Sequence, residues 1–276
     1  MAMNVRTNVA AISAAGQLAK TTKALSKTLE RISSGLRINR AADDAAGLGV
    51  ATNLESASIS QIQGMRNAND GISIIQTAES ATNEITDILQ RMRELAIQSS
   101  SETLDNDERS YIEDEFVELS EEVERIAQST EFNGLELGNN TNTQLDVQVG
   151  IQNSTTSRIS LELGDLRSTS LGVASTQMSL SSVTSAQSAL DSIDLAIDSV
   201  NSFRSGLGAA QNRLDSAINN AQNYVEALTA AESRIRDADF AIETSELTKQ
   251  QILQQSGVAA LAQAKNMNQA VISLLS

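Results

Sequence analysis

Residues 4–37 read NVRTNVAAISAAGQLAKTTKALSKTLERISSGLR. At alternating steps of four and three, Ala11, Ala15, Leu18, Thr22, Leu25, Leu29, Ile32 and Leu36 fall on one line. Seven residues per two turns is the spacing of a coiled-coil seam. The flanks are Ala, Ser, Thr and Lys, and Pro is absent from the whole chain. A stripe this narrow cannot form a core by itself and needs a partner helix.

Residues 240–276 supply one. Val258, Leu261, Lys265, Asn268, Ile272 and Leu275 repeat the spacing, with two polar interruptions. The sequence closes on Leu274, Leu275 and Ser276. Chain ends normally fray into water, so an apolar end is expected to be buried. Both termini therefore read as one helical unit. Burying the few aliphatics of residues 4–36 falls short of the cost of ordering that much backbone. The ends are expected to be loose in an isolated chain until neighbouring subunits cover them.

Composition narrows the function. The 276 residues include no Cys, His, Pro or Trp, and only six aromatics. Disulfides and Cys or His metal sites are excluded, and no cofactor is expected. A net charge of −15 argues against nucleic acid and anionic membranes as partners. No stretch has the apolar length of a bilayer span, and the first thirty residues lack the apolar core of a cleaved signal. An extracellular destination would need another export route.

Along the chain, residues 38–50 break the first stripe, with Asn39 and Asp43 as candidate helix caps. The Asp43–Asp44 pair reads as acid at a helix N-terminus rather than a catalytic or metal pair. Residues 45–100 read as a long helix with a seam through Ile75, Ala78, Thr82, Ile85, Leu89, Met92 and Ala96. A second helix over about 105–129 has its seam at Ile112, Phe116, Leu119, Val123 and Ile126, and an acidic outer face. Asp105, Asp107 and Glu113 lack the Gly and ligand pattern of a calcium loop, so a solvated face is expected. From residue 130 to 178 helical periodicity stops. Asn133–Gly134 has turn chemistry, and alternation over 144–149 and 158–163 predicts a β-hairpin. Two sequons, at Asn139 and Asn153, are weak glycosylation signals. Residues 183–235 then hold a 4–3 stripe from Val183 to Ile235, a helix of about 80 Å at ~1.5 Å per residue. The fold expected is mainly α, an elongated helical bundle or coiled coil with a small β-hairpin element. Its N- and C-terminal helices pair as a terminal coiled-coil domain. The expected division is 1–43 and 236–276 for the terminal domain and 44–235 for an outer core domain.

Six segments match a known family: LERISSGLRINRAADDAAGLGVA (29–51), NANDGISIIQTAE (67–79), LQRMRELAIQSS (89–100), TEFNG (130–134), TSLGV (169–173) and RIRDADFAIET (234–244). They occur in the family's order and cover nearly all of both ends. The chain resembles bacterial flagellin, the filament subunit, in a minimal form without a large mid-chain variable domain. The resemblance implies a homopolymer: a helical, extracellular filament used for swimming. It also implies type III export with a flagellar export chaperone, and assembly with distal cap and hook-junction proteins. Polymerisation then falls to the terminal coiled coil, at Leu18, Leu25, Leu29, Ile32, Leu36, Val258, Leu261, Ile272 and Leu275. In some flagellins an animal Toll-like receptor binds the outer core domain. The matching positions here are Arg91, Leu95, Gln98 and Glu115, which could equally serve subunit packing.

Other readings share the architecture: a hook–filament junction protein, or a soluble coiled-coil translocator of a secretion system. An enzyme is not expected, since some flagellins carry an inserted protease domain with a His-based zinc motif, and this chain has neither insertion nor His.

Overall fold

A computed structural model describes residues 7–139 and 144–273, with side chains in the last helix described as far as residue 266. The elements run α1 (Val9–Ser34), α2 (Ala45–Ser99), α3 (Asn106–Ser129), β1 (Glu131–Phe132), β2 (Leu135–Glu136), β3 (Gln144–Gln148), β4 (Arg158–Glu162), α4 (Ser168–Leu171), α5 (Val183–Arg236) and α6 (Phe240–Ser273). The chain separates into two compact units. One combines residues 1–56 with 227–276, and the other is residues 57–226. The expected mainly helical fold with a small β element is therefore found, and the terminal helices do pack together.

In the unit of residues 57–226, one core cluster joins the end of α2 (Ile85, Leu89, Met92), α3 (Ile112, Phe116, Val123) and the start of α5 (Ala186, Ile193, Val200). All seven seam positions expected on α2, from Ile75 to Ala96, are buried. A capping box opens α3: Glu108 N–H donates to the Asp105 carboxylate, and the Glu108 carboxylate accepts from Asp105 N–H. Buried Arg109 donates to the carbonyls of Ser99, Ser101 and Leu104, which closes the α2–α3 loop around one cation.

A second cluster holds the β elements on the helices. Val147, Ile159 and Leu161 pack with Ile74, Ile75 and Ala78 of α2 and Leu207 and Leu214 of α5. The hairpin pairs antiparallel with Leu145 opposite Leu161 and Val147 opposite Ile159. Its approach to α2 requires glycine. A Cβ at Gly64 would stand 2.5 Å from the Val149 carbonyl oxygen, and one at Gly71 3.1 Å from Val147 Cγ2. Asn67 Nδ2 donates to Gln148 O at 3.0 Å and fixes the strand there. The Asn133–Gly134 turn appears as expected, with φ of 51° and 79°, the paired positive values of a two-residue hairpin turn.

The long stripe of α5 is shifted from the one read in sequence. Ala186, Ile193, Val200, Leu207 and Leu214 are buried on both readings. Between them the structure buries Ala189, Ala196 and Ala210, while Leu190 and Ile197 flank the core half-covered. Close helix approach favours the small residue at the contact and leaves the larger aliphatic beside it. Weighting the stripe by large side chains turns it by one residue.

Candidate functional site

The unit of residues 1–56 and 227–276 is built on α1 and α6. Asn8 caps α1, its side chain accepting from Ala11 N–H. The same side chain donates Nδ2 to Ala264 O at 2.8 Å, tying the start of α1 to the far part of α6. At the other end, Gly35 takes φ 72° and returns its N–H to Arg31 O, ending α1 in a left-handed cap. The chain then runs beside the entry to α6. Arg37 N–H donates to Arg236 O at 2.6 Å, Ala238 N–H donates to Gly35 O at 2.9 Å, and Leu36 bridges Asp237. Asp239 starts α6 by accepting from Ala241 N–H at 2.8 Å.

Of the two acids singled out at residues 43–44, Asp44 caps α2, accepting from Gly47 N–H at 2.8 Å. Gly47 leaves room for this cap: a Cβ there would stand 2.5 Å from that carboxylate, which would have to shift. Asp43 instead pairs with Lys27 at 2.6 Å and accepts from Asn39 and Arg40 N–H. The Lys27 hydrogen bond holds its pKa below the ordinary carboxylate value. Asn39 is no cap; it donates to Glu30 Oε1.

The contact between α1 and α6 is also turned from the expected one. On α1 the covered line runs Ala11, Ala14, Leu18, Thr21, Leu25, Thr28 and Ile32, with Thr21 and Thr28 buried. On α6 it runs Glu243, Leu247, Gln250, Gln254, Gly257, Leu261 and Ala264. Arg31 meets Glu243 at 3.1 Å, with Glu243 only 7% exposed. Among the predicted residues, Leu18, Leu25, Ile32 and Leu261 lie half-buried in this contact, and Leu36 lies half-buried in the bridge. Leu29 (48% exposed) and Val258 (54% exposed) point away from it. The Ile272 side chain and Leu275 lie outside the described residues.

The two helices thus meet along a mixed line, in which half-buried Leu18, Leu25, Ile32, Leu247 and Leu261 alternate with Thr, Gln, Gly and Ala, while other aliphatics face outward. Val9, Ile12, Phe240, Ile242, Ile252 and Leu253 join Leu29 and Val258 as exposed large apolar residues. The readable signal for them was that α6 carries aliphatics on several sides rather than in one stripe, the pattern of a helix covered all round. Exposed apolar area of this kind marks association surfaces.

On the other unit, Arg91 forms ion pairs with Glu115 at 2.7 Å and Glu94 at 3.0 Å, and the Glu115 hydrogen bond raises its pKa. Arg91, Gln98 and Glu115 are exposed. Leu95 is not part of that surface. It is 2% exposed in the core, and Glu94 stands on the face where the sequence reading put Leu95. Among the described residues no group of acids could hold a metal ion, and no helix is long and apolar enough to cross a membrane.

The family model of the bacterial flagellin N-terminal helical region matches residues 5–143, and that of the C-terminal helical region matches 190–275. The chain belongs to the flagellin family. A flagellin of Halalkalibacterium halodurans is 44% identical over 249 residues, covering 90% of this chain and 91% of that one. The flagellar filament 33 kDa core protein of Treponema phagedenis is 40% identical, covering 99% and 100%. Both relatives are of about this length, as a minimal flagellin should be. The crystal structure of Bacillus cereus flagellin is 30% identical with a TM-score of 0.50, over 56% of this chain and 88% of that one. The two flagellin family models cover both helices of the terminal pair, α1 and α6, and leave out residues 144–189, which hold β3, β4 and α4.

Proposed function

We propose that the paired terminal helices are the polymerisation machinery of this flagellar filament subunit. The observation that carries it is the outward display of Val9, Ile12, Leu29, Ile242, Ile252, Leu253 and Val258 from a pair whose own contact leaves even its large aliphatics only half-buried. Within one chain those side chains remain in water. Packed among the same helices of neighbouring subunits they are covered, and the association is favoured by roughly 1.5–3 kcal/mol for each side chain fully buried. On this reading residues 1–43 and 236–276 form the inner domain of the filament and 44–235 the outer one.

The subunit works outside the cell, in the flagellum, and its role is structural, with no catalytic step assigned to it. Before assembly the same apolar surfaces need cover, which suits an export chaperone. The distal cap and hook-junction proteins are the further partners of this reading. An animal Toll-like receptor contact would use the exposed Arg91, Gln98 and Glu115, without Leu95.

The test removes residues 262–276 from the chain. Residues 57–226 form their own compact unit, so the shortened monomer should keep its main melting transition. Seeded with filament fragments, full-length protein should sediment and the shortened protein should stay in solution. Every subunit of a helical lattice meets its neighbours in the same way, so the truncation weakens all interfaces at once. Normal filaments from the shortened chain would overturn the assignment.

A further inference from the structure

A groove of about 760 Å³ opens between the β3–β4 loop and α5. Its lining contains Arg158 and Arg213, with Gln61, Asn212, Asn220 and Tyr224, and no Asp or Glu. Both arginines are exposed. Arg158 donates Nε to Gln148 Oε1 at 3.0 Å and Nη2 to Asn153 Oδ1 at 2.7 Å, both neutral acceptors. Among the described residues neither arginine forms an ion pair with a carboxylate. The Ser160 hydrogen bond lowers the pKa of Asp146, and Arg158 is near enough to help. Arg158 nevertheless bonds no carboxylate among the described residues, so the groove holds two arginines without a salt bridge on a chain of net charge −15.

The complementary surface is on α3. Most of its acids are occupied. Glu113 accepts from Ser179, Glu115 from Arg91, Glu122 from Arg125 and Glu124 from Ser168. Asp114, Glu118 and Glu121 are exposed and have no partner among the described residues. Steps of four and three place them on one side of the helix, as a straight acidic stripe.

The stripe cannot reach the groove of its own chain. Phe116 of α3 packs in the cluster that contains Ile193 of α5. Ala217, which lines the groove, is 24 residues further along α5, about 36 Å at ~1.5 Å per residue. Two complementary surfaces at different ends of one unit fit a head-to-tail arrangement, which repeats without closing and so builds a filament.

We propose that the groove receives the α3 stripe of a second copy of the chain, with Arg158 and Arg213 facing Asp114, Glu118 and Glu121. This rests on the filament reading and adds to it an interface that does not involve α1 or α6. The charges set register between copies and speed encounter.

The experiment uses full-length protein and measures the critical concentration for growth on filament seeds by sedimentation. Arg158→Glu/Arg213→Glu should raise that concentration at least about ten-fold, since like charges then face each other across the interface. Adding Glu118→Lys/Glu121→Lys should restore most of it. Adding Glu84→Lys/Asp87→Lys, two exposed acids of α2, corrects the net charge equally and should not. All six positions are exposed, so the monomers should melt as wild type does. Should a reversal destabilise the monomer, Arg158→Gln/Arg213→Gln is measured in its place and should also raise the concentration. Unchanged growth of the reversed protein, or equal rescue by both added pairs, overturns this interface and leaves the filament reading standing. A wild-type chain that forms no filament overturns both.

Discussion

Leu18 Cδ1 lies 3.3 Å from the point where a Cβ on Gly257 would stand. The missing side chain lets α6 come close against α1 at the middle of their contact. Replacing Gly257 with Phe should therefore force the helices apart. A Gly→Ala change would partly offset its crowding by better helix propensity, about 1 kcal/mol, so the bulky variant is the clean one. Gly257→Phe should raise the critical concentration for filament growth severalfold and leave the melting of residues 57–226 unchanged. Assembly at the wild-type concentration would show that the α1–α6 distance does not matter.

Leu214 is fully buried where α2, the hairpin and α5 meet. Leu214→Asp places a carboxylate there without a partner, at a cost on the order of 4 kcal/mol. For a unit of this size that lowers the melting temperature by on the order of 10 °C. Ser205→Asp, exposed on the same helix, should melt as wild type does. Coincident melts followed by circular dichroism would show that the α5 face is assigned wrongly.

The contact of the terminal helices, whose large aliphatics are only half-buried, leads to a prediction about the free monomer. Residues 1–40 and 240–276 should be trimmed by a dilute protease in monomers and protected in filaments, because opening is rare only where apolar area is buried. Mass spectrometry of the fragments reads the result. Equal protection in both states would reject it.

Asp194 and Arg93 pair at 2.7 Å, and the Arg93 hydrogen bond lowers the Asp194 pKa. A carboxyl group with a lower pKa folded than unfolded stabilises the fold while ionised. Its contribution is complete above the unfolded value, about 4, and is lost as pH falls through the folded one. The pair is exposed, so the effect is small. The melting difference between wild type and Asp194→Asn should be present at pH 7 and shrink at pH values below about 4. A difference that grows on acidification would contradict the assigned pairing.

Most elements were legible because their periods are long and uninterrupted. The absence of Pro, the Asn133–Gly134 turn and the alternation around Val147 and Ile159 bounded the helices and the hairpin. The α2 seam from Ile75 to Ala96 was legible in every position, since Ile85, Leu89 and Met92 pack in one core with α3 and α5, and Ile75 in another with the hairpin and α5. The family segments, read in order, carried the functional assignment.

The kind, order and approximate extent of the elements were thus written in the residues, as was the pairing of the two ends. Which side of each helix meets its neighbour emerged only in three dimensions. Period alone cannot separate adjacent lines one residue apart when one holds aliphatics and the other Ala, Thr or Gly. Close packing selects the small line for contact, as at Thr21, Thr28, Ala196 and Gly257. That choice left Leu29 and Val258 exposed, while Leu95 lies in the core of its own unit. The fold of the hairpin onto α5 likewise set Arg158 and Arg213, 55 positions apart in the chain, in one groove.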